Sequence, residues 1–318
     1  MGRFILRTPI KYKDLYFDRP NDVSSWNNLG TEPGGAREKL VIQHPKTKKI
    51  FLLKFPKYGL FEIQTEVFNG ILANELSMNH VLYFPAIYKG KRGVLCQSFI
   101  DPLQSSEELW EMRVLLCQYF KNLNSKMFGR NKEVLKEHTL SNISIIIDRE
   151  FGPIHMKPFF EMVGFDALIG HGDRHWSNYG FKIGQSVNGN IKFSFAPIYD
   201  TAAGYLTEIP DNELEGYFNH QLKDTEWYRP TNGSLSKVTI EGRPKCNHFD
   251  LIDEIITNPD FSNQIQAVIR PIRSFNERLP KAILSKFFNK MDRIRQKIVI
   301  QILCMRYRML QERLKDIM

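Results

Sequence analysis

The stretch Gly170-His171-Gly172-Asp173-Arg174-His175-Trp176-Ser177-Asn178 sets an acid and an amide five residues apart in a polar loop. Asp200 follows 22 residues after Asn178, in Ala196-Pro197-Ile198-Tyr199-Asp200. An Asp, an Asn and a later Asp in this order meet the needs of phosphoryl transfer. One carboxylate takes the proton of an attacking hydroxyl, while an amide oxygen and a second carboxylate are hard oxygen ligands for Mg2+ on a polyphosphate. The demand is electrostatic, because the anionic oxygens of ATP must be neutralised and held in line before a hydroxyl can attack.

Such a loop needs a phosphate cradle upstream. Gly34-Gly35-Ala36-Arg37-Glu38-Lys39 supplies glycines that let the backbone approach phosphates closely. Lys54 stands in the apolar run Phe51-Leu52-Leu53-Lys54-Phe55, where a charge is out of place unless paired, and it suits the α- and β-phosphates. Glu66 on the following helix, or Glu75, is the expected ion-pair partner.

The elements that must position these groups are legible as patterns. Apolar runs at 39–43 and 50–55 flank His44-Pro45-Lys46-Thr47-Lys48 and read as a hairpin. Phe61, Val67, Phe68, Ile71, Leu72 and Leu76 recur at helical spacing. Strand-like runs follow at 81–87 and 93–99. Helices are expected at 107–122 and 158–169, and a second hairpin at 179–183 and 191–196 turns through Asn188-Gly189. From residue 251 onward the pattern is mainly helical, with Ile294, Ile298, Ile302, Met305 and Met309 forming one apolar stripe. Arg293, Arg295, Lys297, Arg306 and Arg308 lie largely around that stripe. The expected class is α+β, with a β-rich lobe over residues 1–100 and a larger, mainly helical lobe over 101–318.

Composition narrows the class further. The 318 residues are 42% hydrophobic and 25% charged, which excludes disordered and low-complexity architectures. The longest apolar candidate, Ile298 to Met305, is too short for a transmembrane segment. Arg7 and Lys11 interrupt the opening residues and no small-residue cleavage site follows, so no signal peptide is expected. The four cysteines form no CxxC pair, which argues against a thiolate zinc site or a disulfide framework and for a cytoplasmic setting. The net charge of +9 falls entirely in residues 261–318, with 13 basic and 4 acidic side chains. This stretch is either a solvated helical face or a surface for direct contact with an acidic partner such as nucleic acid.

The GDRHxxN segment with the later Tyr199-Asp200, together with Gly35 and the Glu38-Lys39 pair, resembles the HipA-like serine/threonine kinases over roughly residues 30–310. That resemblance implies a bilobal protein-kinase-like fold that uses ATP and Mg2+. It implies Asp173 as catalytic base, Asn178 and Asp200 as metal ligands, and Lys54 as the ATP lysine. Gly34, Gly35 and Lys39 would belong to the nucleotide loop, Glu66 would orient Lys54, and the stretch from Gln97 to Phe99 resembles the hinge that meets the adenine. His175 is expected to brace the loop; zinc binding through His171 and His175 lacks a third ligand. Cys246 and His248 read as a chance pairing rather than a nucleophile.

The chain departs from longer relatives in having no room before the glycine loop for their additional N-terminal subdomain, so it is similar to the short, single-module members. Several relatives carry a regulatory serine in that loop. Here Thr31 is the nearest hydroxyl, with Ser24 and Ser25 further upstream. The resemblance implies a toxin–antitoxin setting, with a translation component such as an aminoacyl-tRNA synthetase as substrate and a helix-turn-helix antitoxin as partner. A phosphatidylinositol or small-molecule kinase would use the same loop. A nucleotide-binding pseudokinase is the third reading, although every expected charged group is present.

Overall fold

The computed structural model describes residues 12–31, 37–100, 107–121, 123, 132–185, 188–214 and 233–317. The chain forms two compact units. One takes residues 1–101, 200–223 and 276–302; the other takes 102–199, 224–275 and 303–318. The first unit is thus assembled from three stretches, and two of them come from the part of the sequence that reads as helical.

The first unit is built on a six-stranded sheet of β1 (Asn21–Asp22), β2 (Asn27–Thr31), β3 (Lys39–Gln43), β4 (Ile50–Lys54), β5 (Tyr83–Tyr88) and β6 (Lys91–Gln97), in the order β1-β5-β6-β4-β3-β2. Only β1 pairs in parallel, with β5. β3 alternates half-buried and buried positions, so Leu40 and Ile42 share the core face. β5 and β6 are joined by Lys89 and Gly90, both at positive φ, the backbone that a tight two-residue hairpin requires. The short strands β1 and β2 lie in the stretch whose sequence is polar and turn-rich.

Helix α1 (Leu60–Glu75) is buried continuously from Phe61 to Ala73, including Glu62, Gln64, Thr65, Glu66 and Asn69. On a helix wrapped on all sides such groups are costly unless they find partners. Asn69 does so by donating to the Thr201 carbonyl at 2.7 Å and accepting from the Tyr205 hydroxyl at 2.9 Å. The rest of this core comes from late in the chain. Phe288 contacts Phe17 and Phe68 at ring separations of 5.7 and 6.1 Å, and Phe17 N–H donates to the Phe287 carbonyl.

The second unit holds β7 (Glu108–Glu111), α2 (Met112–Tyr119), α3 (Lys132–Glu137), α4 (Leu140–Phe151), α5 (Met156–Ile169), β8 (Gly180–Gln185), β9 (Ile191–Phe195), α6 (His248–Thr257) and α7 (Ile265–Ser274). Its sheet runs β7-β8-β9, all antiparallel. The helix expected over 107–122 begins instead as strand β7, because a tertiary partner overrides the local pattern. Gly180 makes that pairing possible: a Cβ there would stand 2.2 Å from the Trp110 carbonyl oxygen. Thr139 caps α4 and an Asn247/Asp250 capping box starts α6.

Helix α8 (Leu279–Phe287) belongs to the first unit, and the residues of α9 (Arg293–Leu314) are divided between the two. The apolar stripe expected on α9 is corrected by the structure. Met305 is exposed, whereas Arg295 and Arg306 are buried among Ile298, Val299, Ile302 and Leu310. Both arginines have internal partners, which a hydropathy pattern cannot anticipate. Arg295 bonds Asp211 and the carbonyls of Leu206 and Ile209 and lies over the Phe61 ring. Arg306 donates to the Ala167 carbonyl at 2.8 Å and covers the Phe249 ring. No helix among the described residues is long and apolar enough to cross a membrane.

Candidate active site

In the first unit, Lys54 closes β4 with only 5% of its surface exposed. Its ammonium donates to Glu66 Oε1 at 2.8 Å and to Asp200 Oδ1 at 3.1 Å, and lies 5.2 Å from the centre of the Tyr83 ring. The out-of-place lysine of the apolar strand is therefore paired twice. Glu66 is buried on α1, while Glu75, the other candidate, is exposed at the helix end. Asp200 adopts a left-handed backbone with φ of 55°, unusual for a residue with a side chain, and its N–H donates to the Tyr83 hydroxyl at 2.9 Å.

The electrostatics follow from this packing. Burial would raise the Asp200 carboxyl, but the Lys54 and Arg37 charges, with a smaller push from Lys39, hold it well below the usual carboxylate range. Burial would likewise lower the Lys54 ammonium; the Asp200 and Glu66 carboxylates prevail and hold it well above its ordinary value. Burial pushes the Glu66 carboxyl up, with Lys54 working against it. Lys39 sits on β3 directly across the ladder from Lys54. Gln97 ends β6 opposite Phe51, and its side-chain Oε1 is buried with no hydrogen-bond partner among the described residues. Phe99 lies half-buried two residues beyond it. Gly34 and Gly35 lie outside the described residues, as does the side chain of Thr31.

Sequence reasoning passed over Arg37 and Glu62. Arg37 forms an ion pair with Glu62 through Nε, and its Nη1 stands 3.7 Å from Asp200 Oδ1. The available signal was the spacing of Glu62 and Glu66, one turn apart on the same helix.

In the second unit, the loop after α5 turns at Gly170, which takes the left-handed backbone that ends the helix. Asp173 is half-buried, and its main-chain carbonyl accepts from Asn178 Nδ2 at 2.7 Å and from His175 N–H at 2.8 Å. Asp173 and Asn178 are thereby brought into one tight loop, with the amide nitrogen of Asn178 committed to the Asp173 carbonyl. His175 Nδ1 accepts from Ser177 N–H at 3.2 Å, a bond internal to the loop. Arg174 is 1% exposed and bonds Asp166 through two nitrogens and the carbonyls of Asn178 and Tyr199 through a third.

Among the described residues no group of three or more His, Cys, Asp and Glu side chains is gathered to hold a metal. Asn178 Oδ1 and the Asp200 carboxylate are each a hard oxygen donor of the kind Mg2+ takes, an ion that keeps several ligands from water and phosphate rather than a full protein cage. A carboxylate kept ionised beside a buried lysine fits a Mg2+-bound polyphosphate, and the unpartnered Gln97 Oε1 fits a donor-bearing ligand.

The strand order, the buried lysine–glutamate pair and the helical second unit define an α+β protein with the kinase-like fold. A solved structure agrees with that class. The chain matches the crystal structure of CtkA, a proinflammatory kinase of Helicobacter pylori, with a TM-score of 0.69 and 19% identity over 94% of this chain and 96% of that one. It is also similar to HipA of Shewanella oneidensis MR-1, solved with HipB and operator DNA, at a TM-score of 0.49 and 13% identity over 91% of this chain and 67% of that one. No protein-family model and no curated protein sequence matches.

Proposed function

We propose that this chain is a serine/threonine protein kinase of the HipA-like type that transfers the γ-phosphoryl group of ATP in a Mg2+-dependent reaction. The observation that carries this reading is the single buried ammonium of Lys54 bonded to both Glu66 and Asp200. Bound Mg-ATP would supply the phosphoryl group, and its Mg2+ would neutralise charge that develops on the phosphate oxygens. Lys54, oriented by Glu66, holds phosphate oxygens. Asn178 Oδ1 and the Asp200 carboxylate hold the metal, and Gln97 and Phe99 contribute main-chain groups to the adenine. Gly34, Gly35 and Lys39 line the phosphates, and His175 braces the loop.

Asp173 accepts the proton of the attacking hydroxyl. The hydroxyl oxygen forms its bond to the γ-phosphorus as the bond to the ADP oxygen breaks. The test is γ-phosphate transfer by Asp173→Ala and Asp200→Ala against wild type, with a loss of about a hundredfold or more expected in each. Undiminished transfer by either variant overturns the assignment.

The substrate proposed from the family resemblance is a translation component such as an aminoacyl-tRNA synthetase, with a helix-turn-helix antitoxin as restraint. Labelled ATP and a cell lysate would identify the modified protein, and phosphatidylinositol vesicles assayed alongside would expose a lipid kinase. Nucleic-acid contact through residues 261–318 would draw on fewer charges than the sequence shows. Arg295 and Arg306 are buried, and Arg270 and Arg313 pair with Glu161 and Asp253.

A further inference from the structure

Glu62 and Glu66 stand one turn apart on α1, and each holds a cation carried in from the sheet side. Glu66 bonds Lys54 at the end of β4; Glu62 pairs with Arg37, two residues ahead of β3. Both cations converge on one atom, Asp200 Oδ1, at 3.1 Å from Lys54 and 3.7 Å from Arg37. The second pair is as firmly built as the first. Glu62 Oε2 accepts the N–H groups of Lys57 and Tyr58 at 2.8 and 2.9 Å, which fixes the carboxylate that aims the guanidinium.

Two features set Arg37 apart from an ordinary structural arginine. Asp200 already has Lys54, so a second cation exceeds what one carboxylate requires. Arg37 is also the more accessible of the two, with 22% of its side chain exposed against 6% for Lys54. A guanidinium carries five N–H donors in a rigid plane and suits phosphate oxygens; Glu62 takes Nε, and Asp200 stands 3.7 Å from Nη1, beyond hydrogen-bond length. In sequence it directly follows Gly34-Gly35-Ala36.

We propose that Arg37 is a second polyphosphate-binding residue, contacting the oxygens of a nucleoside triphosphate beside Lys54, with Glu62 as its positioning residue. The inference rests on the phosphotransferase reading but concerns binding, so it can be tested apart from turnover. Calorimetry on the full chain would compare wild type, Arg37→Ala, Arg37→Lys and Glu62→Gln with three probes: Mg-ATP, adenosine and inorganic tripolyphosphate. Arg37→Ala should weaken Mg-ATP and tripolyphosphate about tenfold or more and leave adenosine within twofold. Glu62→Gln should show a smaller loss with the same pattern.

Mg-ATP binding by Arg37→Ala within twofold of wild type would make Arg37 purely structural. Tighter binding would make it a latch on Asp200. Either result overturns the proposal, as does an equal loss of adenosine. If Arg37→Ala does not fold, Arg37→Lys decides: a selective loss for tripolyphosphate supports the proposal and none overturns it. A wild type that binds tripolyphosphate through Arg37 yet transfers no phosphoryl group sinks the kinase reading alone. One that binds neither phosphate probe sinks this inference.

Discussion

Arg174 and Asp166 close a bidentate ion pair, with Nε and Nη2 meeting the two carboxylate oxygens at 2.8 and 2.9 Å. The remaining Nη1 donates to the carbonyls of Asn178 and Tyr199 at 2.8 and 2.7 Å. One buried guanidinium therefore ties α5 to the loop that carries Asn178 and to the residue immediately before Asp200. Replacing it leaves a buried carboxylate without compensation. Arg174→Ala should cost on the order of 3–5 kcal/mol, read from urea unfolding. Arg174→Lys should recover only part of that, because an ammonium cannot reproduce the fork.

The triad of Lys54, Glu66 and Asp200 makes a prediction with a pH signature. Lys54→Met should reduce kcat/KM by at least about a hundredfold. In the wild type the Asp200 carboxyl is held below its ordinary value of 3.8, so its stabilising contribution is present above that pH and is lost as the pH falls beneath it. The stability gap between wild type and Lys54→Met should therefore be full at neutral pH and narrow as acid is added below pH 3.8. A gap that widens in acid would contradict the pairing.

His138 gives a second titration, in the other unit. Its ring is fully buried, with Nδ1–H donating to the Lys237 carbonyl and Nε2 accepting from the Tyr179 hydroxyl, both at 2.7 Å. That arrangement satisfies the neutral ring, and burial lowers its pKa from 6.5 to about 4. The unfolded chain thus binds a proton that the folded chain refuses between those values. Stability should fall as the pH drops from 6.5 towards 4, by at most about 1.4 kcal/mol per pH unit for this group. His138→Gln should flatten that slope in denaturant titrations.

Gly93 packs against the strand that carries Lys54. A Cβ at this position would stand 2.7 Å from the Lys54 carbonyl oxygen and 3.2 Å from side-chain atoms of Leu53 and Phe55. Gly93→Ala must push β4 aside, at a cost of about 1–3 kcal/mol in thermal unfolding. It should also raise the KM for ATP, since the displaced backbone is that of Lys54.

Residue order alone determined the chemical alphabet of this protein: an apolar strand ending in lysine, a helix bearing glutamates, and an Asp/Asn loop followed by a hairpin and a second Asp. Those features are local in sequence, and period-2 and helical spacings mark them without reference to any distant partner. Only the tertiary structure decided which charges meet. It set Lys54 against Glu66 rather than Glu75, added Arg37 and Glu62, and turned residues 108–111 into a strand on β8. It also buried Arg295 and Arg306 where hydropathy places solvent-facing cations. The physical reason is common to all of these. A buried charge is stable only beside groups far away along the chain, and the spacing of near neighbours carries no record of such partners.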